Sequence, residues 1–162
     1  MRAPGKGEMS TKSQQKLDEV DKAIIQKLVA DGRRSFADIA TELKLSASTV
    51  QQRANRLFEV GLLRIRAITD PVALGVPITA SILLKVDGAR LREAAQEAAQ
   101  FEEVGWVAIT SGAYDISCEV ACRDNEHLIE LISELAGIQG VRSTETFMYL
   151  RIVKNNYQWG IP

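Results

Sequence analysis

Only two cysteines and one histidine occur in the 162 residues. Cys118 and Cys122 sit four apart in the alternating run Ile116-Ser117-Cys118-Glu119-Val120-Ala121-Cys122, which reads as a strand. On a strand they point the same way but lie roughly 13 Å apart, too far for a disulfide. They are expected as reduced core residues, and no zinc-ligand spacing is present. His127, beside Asn125 and Glu126 on a helical stretch, is expected to be solvated. A single histidine makes no H-x-x-x-H pair, and P-loop and dinucleotide fingerprints are also missing. No catalytic residue, metal or cofactor is assigned, and an enzyme is not expected. Long apolar runs are lacking as well, so nothing spans a bilayer and no membrane partner is expected. The N-terminal MRAPGKGEMSTKSQQK has basic residues without an apolar core, unlike a secretory signal. Residues 1–16 read as a disordered tail, 155–162 as a C-terminal tail, and the chain as cytoplasmic.

What is present describes a globular protein: 46% hydrophobic and 25% charged residues, enough to bury a core in one large or two small domains. The formal net charge of -1 argues against nucleic acid until the chain is divided. Through Arg66 there are 13 Lys and Arg against 8 Asp and Glu, a net of +5. From Ala67 onward there are 7 against 13, a net of -6. A basic front half with an acidic back half suits a DNA-binding module carried by a regulatory body.

The organising stretch is Ser35 to Leu63, which reads as two short helices and a tight turn. Phe36, Ile39, Ala40 and Leu43 recur at helical spacing behind the start signal Ser35-x-x-Asp38. The apolar phase breaks at Lys44-Leu45, and Ser46 offers an N-cap for the second helix. There Val50, Ala54 and Leu57 share one face, and Gly61 ends the helix. Turning about 100° per residue places Ser48, Gln51, Gln52 and Asn55 opposite, flanked by Thr49, Arg53 and Arg56. Amides and hydroxyls there can address base edges, and guanidinium groups can address phosphates. The bland alternative is an ordinary solvated face. Leu17 to Asp31, with Val20, Ile24, Ile25 and Leu28 inward, supplies a third helix to cover the pair. Leu62 to Ile68 alternates like a short strand, a wing, with Arg64 and Arg66 on one face. They read equally as phosphate contacts or as solvated edge charges.

Asp70-Pro71 through Gly75-Val76-Pro77 is a turn-rich linker, residues 70–77, between a domain over 17–69 and one over 78–154. The second domain reads as strand Ile78–Val86, helix Ala89–Phe101 (Leu91, Ala95 and Ala98 inward), strand Val104–Thr110, strand Asp115–Cys122, helix Asn125–Ala136 and strand Val141–Val153. That order is the β-α-β-β-α-β of a ferredoxin-like fold. Ile116, Cys118, Val120 and Cys122 are expected to face the helices. On the other surfaces Leu83, Phe147 and Tyr149 are too apolar for open water, so a homodimer through paired sheets is expected. Its two-fold axis would match a pseudo-palindromic duplex.

Taken together, these residues resemble the Lrp/AsnC, or feast/famine, family from Leu17 to about Lys154. The carriers are Leu17-Asp18-x-x-Asp21-x-x-Ile24, Asp31-Gly32-Arg33, Ile39-Ala40 and Leu45-Ser46-x-Ser48-x-Val50-x-x-Arg53-x-x-Arg56-Leu57 with Gly61. Asp70-Pro71, Leu74-Gly75, Gly112-x-Tyr114-Asp115 and Gly140-Val141-x-x-Thr144-x-Thr146 complete the set. The resemblance implies an α+β chain: a winged helix-turn-helix domain followed by a ferredoxin-like RAM domain for effector binding and oligomerisation. It implies a dimeric or octameric transcriptional regulator of double-stranded DNA. DNA-binding candidates are Ser35, Ser46, Ser48, Thr49, Gln51, Gln52, Arg53, Asn55 and Arg56. An amino acid or similar small acid is implied between RAM domains, with Gly112, Tyr114, Asp115, Thr144 and Thr146 carried over by matching position. A glycine turn exposes N–H donors for a carboxylate, and Asp115 suits an ammonium. The plainer alternative makes Gly112 a positive-φ hairpin residue and Asp115 a turn cap. Ala113 departs from an often polar position, and Trp106 leads into the loop, so the pocket is narrowed, retuned or vacant. Two rival functions remain: a sirohaem-decarboxylase-like enzyme of similar fold, and a ligand-binding or scaffolding module without DNA binding.

Overall fold

The computed structural model describes residues 17–154, so the two expected tails lie outside the described residues. These residues form two compact units, 17–66 and 67–154, each with its own core.

The first unit is three helices. Helix α1, Glu19–Ala30, starts at a capping box: the Asp18 carboxylate accepts the Asp21 N–H at 2.8 Å, and Asp21 reaches back to the Asp18 N–H. Helix α2, Phe36–Leu43, is capped by Ser35 and ended by Lys44 in the left-handed region at φ 55°. That left-handed residue makes the turn, because the Leu45 N–H then reaches the Ala40 carbonyl at 2.9 Å. Helix α3, Ala47–Glu59, is capped by Ser46 through the Thr49 N–H, and Gly61 at φ 71° follows its end. Ile24, Ile25, Leu28, Ile39, Ala40, Val50, Ala54 and Leu57 fill the space between the three.

The wing expected over Leu62–Ile68 does not form a strand. The Leu62 and Leu63 N–H groups turn back to the Leu57 carbonyl, and Leu63 buries into the helical core. Ile65 packs on Gly32, where a Cβ would stand 3.2 Å from it. The alternation that reads as a strand thus marks residues covering helix ends. A strand needs a neighbour to satisfy its backbone, and none pairs with this segment among the described residues.

The second unit is β1 (Ile78–Val86), α4 (Leu91–Ala98), β2 (Val104–Ile109), β3 (Ile116–Cys122), α5 (Asn125–Gly137) and β4 (Val141–Met148). The sheet is antiparallel throughout in the order β2-β3-β1-β4. Ala80, Ile82, Leu84 and Val86 of β1 join Ile116, Cys118, Val120 and Cys122 of β3 in the core under the helices. Burial there lifts the Cys118 thiol pKa to about 11, so both cysteines are inert core residues.

Two extents differ from expectation. The first helix of this unit begins as a separate 3-10 turn, Gly88–Arg90, and stops at Ala98 with Ala94 and Ala98 buried and Leu91 and Ala95 only partly so. The last strand stops at Met148 instead of Val153, because Ala80 is its last paired residue on β1 and one further bond, Tyr149 N–H to Thr79 carbonyl, exhausts the partner.

Gly140 joins α5 to β4 at φ 97°, and its carbonyl accepts the Asp87 N–H at 2.8 Å. A Cβ there would stand 2.6 Å from the Arg90 Cβ. Backbone strain and overpacking add, so Gly140→Ala should destabilise the protein by about 2–4 kcal/mol in urea denaturation.

Candidate nucleic-acid interface and effector loop

Burying Val50, Ala54 and Leu57 forces the opposite face of α3 outward, and Ser48, Gln51, Gln52 and Asn55 are all exposed there. Two of the nine DNA candidates serve the helix ends instead. Ser35 caps α2 and donates to Asp38 Oδ2 at 2.7 Å. Ser46 caps α3, and its hydroxyl also contacts the Ser48 and Thr49 hydroxyls at 2.9 and 2.7 Å.

Arg53 and Arg56 are not free cations. Arg53 Nη1 donates to Asp18 Oδ2 at 2.6 Å and Asp21 Oδ1 at 3.0 Å. Arg56 Nη2 donates to Asp21 Oδ2 at 2.5 Å. Asp21 is 1% exposed, so these guanidinium groups are what make burial of its charge tolerable. The hydrogen bond from Arg53 holds the Asp18 carboxyl below its ordinary range and raises the Arg53 pKa in turn. The remaining nitrogens of both arginines make no hydrogen bond among the described residues. Asp18, Gln52, Arg53, Asn55, Arg56 and Glu59 line one open depression of about 580 Å³. The two acids of α1 were not among the site candidates. Their spacing shows a helix start, and nothing local reveals partners 32 to 35 positions away.

The loop between β2 and β3 holds the other candidates. Gly112 has φ 131° and open space where a Cβ would stand, so backbone conformation alone favours glycine there. Asp115 works inside the sheet: its Oδ2 accepts the Val86 N–H at 2.9 Å, and Lys85 Nζ lies 3.2 Å from the same oxygen. The Val86 bond and then Lys85 draw its pKa below the usual carboxylate range. Tyr114 hydrogen-bonds Glu145 of β4, which raises the phenol pKa. The loop therefore presents a Lys85–Asp115 ion pair beside a Tyr114–Glu145 pair. Lys85 was missed, although it continues the polar parity of Thr79 and Ser81 on β1.

The threonines do not join this group. Thr144 pairs with Leu84 and Thr146 with Ile82, both core residues, so the two hydroxyls lie on the helix side of the edge strand. Glu145 and Phe147, opposite Leu83 and Ser81, occupy the open side. Trp106 is on that open side too, opposite Glu119 and half exposed. His127 is not solvated as expected. Its side chain is 16% exposed, with Nε2 at 2.8 Å from Glu103 and Nδ1 accepting the Arg123 N–H at 3.3 Å. No group of three or more His, Cys, Asp or Glu that could hold a metal occurs among the described residues.

Residues 17–57 match the AsnC-type helix-turn-helix domain, and residues 79–159 match the Lrp/AsnC ligand binding domain. An uncharacterized HTH-type transcriptional regulator of Pyrococcus abyssi is 38% identical over 87% of this chain and 90% of its own. Among solved structures, the leucine response regulatory protein of Mycobacterium tuberculosis superposes with TM-score 0.81 at 27% identity, covering 90% of this chain and 100% of that one. A transcriptional regulator of Neisseria meningitidis, solved as its L-Met complex, gives TM-score 0.80 at 22% identity, over 88% and 95%. That last likeness is one of fold.

The Asp115 pairing has a pH signature. A carboxyl with a lowered folded pKa contributes stability above its unfolded pKa and loses it as pH falls through the folded value. Asp115→Asn should lower the melting temperature at pH 7, and the gap to wild type should close below about pH 4. Thermal unfolding at several pH values measures both.

Proposed function

The chain belongs to the Lrp/AsnC family of HTH-type transcriptional regulators, and from that premise we propose how its two units divide the work. Residues 17–69 bind double-stranded DNA, 70–77 link, and 78–154 bind a small effector and pair subunits. The observation that carries the DNA reading is the outward face of α3. It holds Ser48, Gln51, Gln52 and Asn55 exposed on a helix whose two ends are capped and whose back is buried. Such a face reads base edges, with Thr49, Arg53 and Arg56 toward the phosphates. Ser35 and Ser46 contribute by fixing helix starts.

The subunits pair through the open sides of their sheets, as a homodimer that is free to build higher oligomers. Trp106 and Phe147, half exposed on the side that also carries Leu83 and Tyr149, support this. The dimer axis then presents two reading helices to a pseudo-palindromic operator. No helix among the described residues is long and apolar enough to cross a membrane. The proposed place of work is the cytoplasm.

The effector is an amino acid or related small acid at the Gly112–Asp115 loop. A zwitterion needs a cation for its carboxylate and an anion for its ammonium, and Lys85 with Asp115 supplies the pair. The L-Met complex of the Neisseria regulator supports that ligand class. Catalysis has no place in this reading, which rests on relatives that are transcriptional regulators.

Two measurements test these readings. Gel shift with the duplex upstream of the protein's own gene should show binding that Gln52→Ala and Asn55→Ala each weaken by about 1–3 kcal/mol, with reduced sequence preference. No retardation at low salt overturns the DNA reading. A thermal-shift screen of amino acids and small acids should find a stabiliser, worth about 2.7 kcal/mol at a hundredfold excess over its Kd. Lys85→Met should abolish that stabilisation. If no compound shifts the wild type, the amino-acid reading fails.

A further inference from the structure

The two oxygens of Asp18 do different jobs. Oδ1 accepts the Asp21 N–H at 2.8 Å and starts α1, while Oδ2 takes Arg53 Nη1 at 2.6 Å. Asp18 and Asp21 also differ in setting. The Asp18 side chain is 53% exposed, whereas that of Asp21 is 2% exposed and grips both arginines from inside. Arg53 thus has one fixed contact and one contact open to exchange. The exchangeable contact lies in the same depression as Gln52 and Asn55.

We propose that Asp18 is an intramolecular competitor for the phosphate contact of Arg53, and so sets the overall affinity of the reading helix for duplex DNA. The proposal rests on the DNA reading above. In the free protein the two carboxylates balance the two guanidinium groups, and Glu59 on the same depression adds a further negative charge. A DNA phosphate that takes Arg53 at Nη1 must displace the Asp18 carboxylate, whose geometry it would copy, and one that comes to the other guanidinium nitrogens still meets that carboxylate's charge beside it. An exposed ion pair exchanges readily, unlike the buried contact to Asp21. Phosphate contacts carry no base information, so the competition lowers affinity for every duplex alike and leaves sequence preference unchanged.

The chemistry of Asp18 offers a clean separation of its roles. Asparagine caps a helix as well as aspartate does, so Asp18→Asn keeps the Oδ1 cap and removes the acceptor for Arg53. Asp18→Ser also keeps a cap and serves as the second variant. Fluorescence anisotropy of the full-length protein would use a random duplex and the duplex upstream of its own gene, from 50 to 300 mM KCl. Both variants should tighten both duplexes by roughly three- to tenfold near 100 mM salt, and steepen the salt slope by about 0.9 per protomer. In an Arg53→Gln background the same changes at Asp18 should give no gain. Equal affinity and slope for wild type and both variants overturn the proposal. So does an undiminished gain with Arg53→Gln, which would show plain charge repulsion by Asp18. If wild type and variants all fail to bind either duplex at 50 mM, the DNA reading itself falls and takes the competition with it.

Discussion

The first unit depends on one buried carboxylate. Asp21 sits at 1% exposure between α1 and α3, and a lone charge there would be far too costly to bury. Arg53 and Arg56 answer it from one side of α3, three residues apart. Because the two guanidinium groups must both reach Asp21, the rotation of α3 about its axis is constrained. That same rotation decides which residues face outward. The presentation of Gln52 and Asn55 is thus tied to a charge pairing on the inner edge of the reading face.

The pairing also changes what the basic front half means. Its 13 Lys and Arg outnumber its 8 Asp and Glu, and many of those cations are held by the acids. Lys22 pairs with Glu19, Lys27 and Arg34 share Glu42, and Arg53 and Arg56 hold Asp18 and Asp21. Arg33, Lys44, Arg64 and Arg66 make no ion pair among the described residues. Composition locates a basic domain, but pairing determines which of its cations are available.

An acid has a comparable structural task in the second unit. Asp115 ties the end of β1 to the start of β3 by accepting the Val86 N–H, and its carbonyl accepts the Thr110 N–H that closes the loop. The residue that the family resemblance marks for an ammonium is first of all a fastener between strands. Lys85 beside it keeps the pair neutral yet partly open to solvent.

Much of the fold was legible in the residues because it follows from local rules. Apolar spacing located every helix and all four strands of the sheet, and Ser35, Ser46 and Gly61 mark helix ends because capping chemistry acts within one turn. Strand parity assigned Ile116, Cys118, Val120 and Cys122 to the core for the same reason. The wing failed because residues 62–68 alternate without a partner strand, and alternation does not create a neighbour. Thr144 and Thr146 lie apart from the Asp115 cluster because a pairing register, set by Leu84 and Ile82, turned them to the helix side. The partners of Arg53, Arg56, Asp115 and His127 were not fixed by the sequence. Each partner lies 24 to 35 positions away, and only the folded chain brings those charges within hydrogen-bond distance.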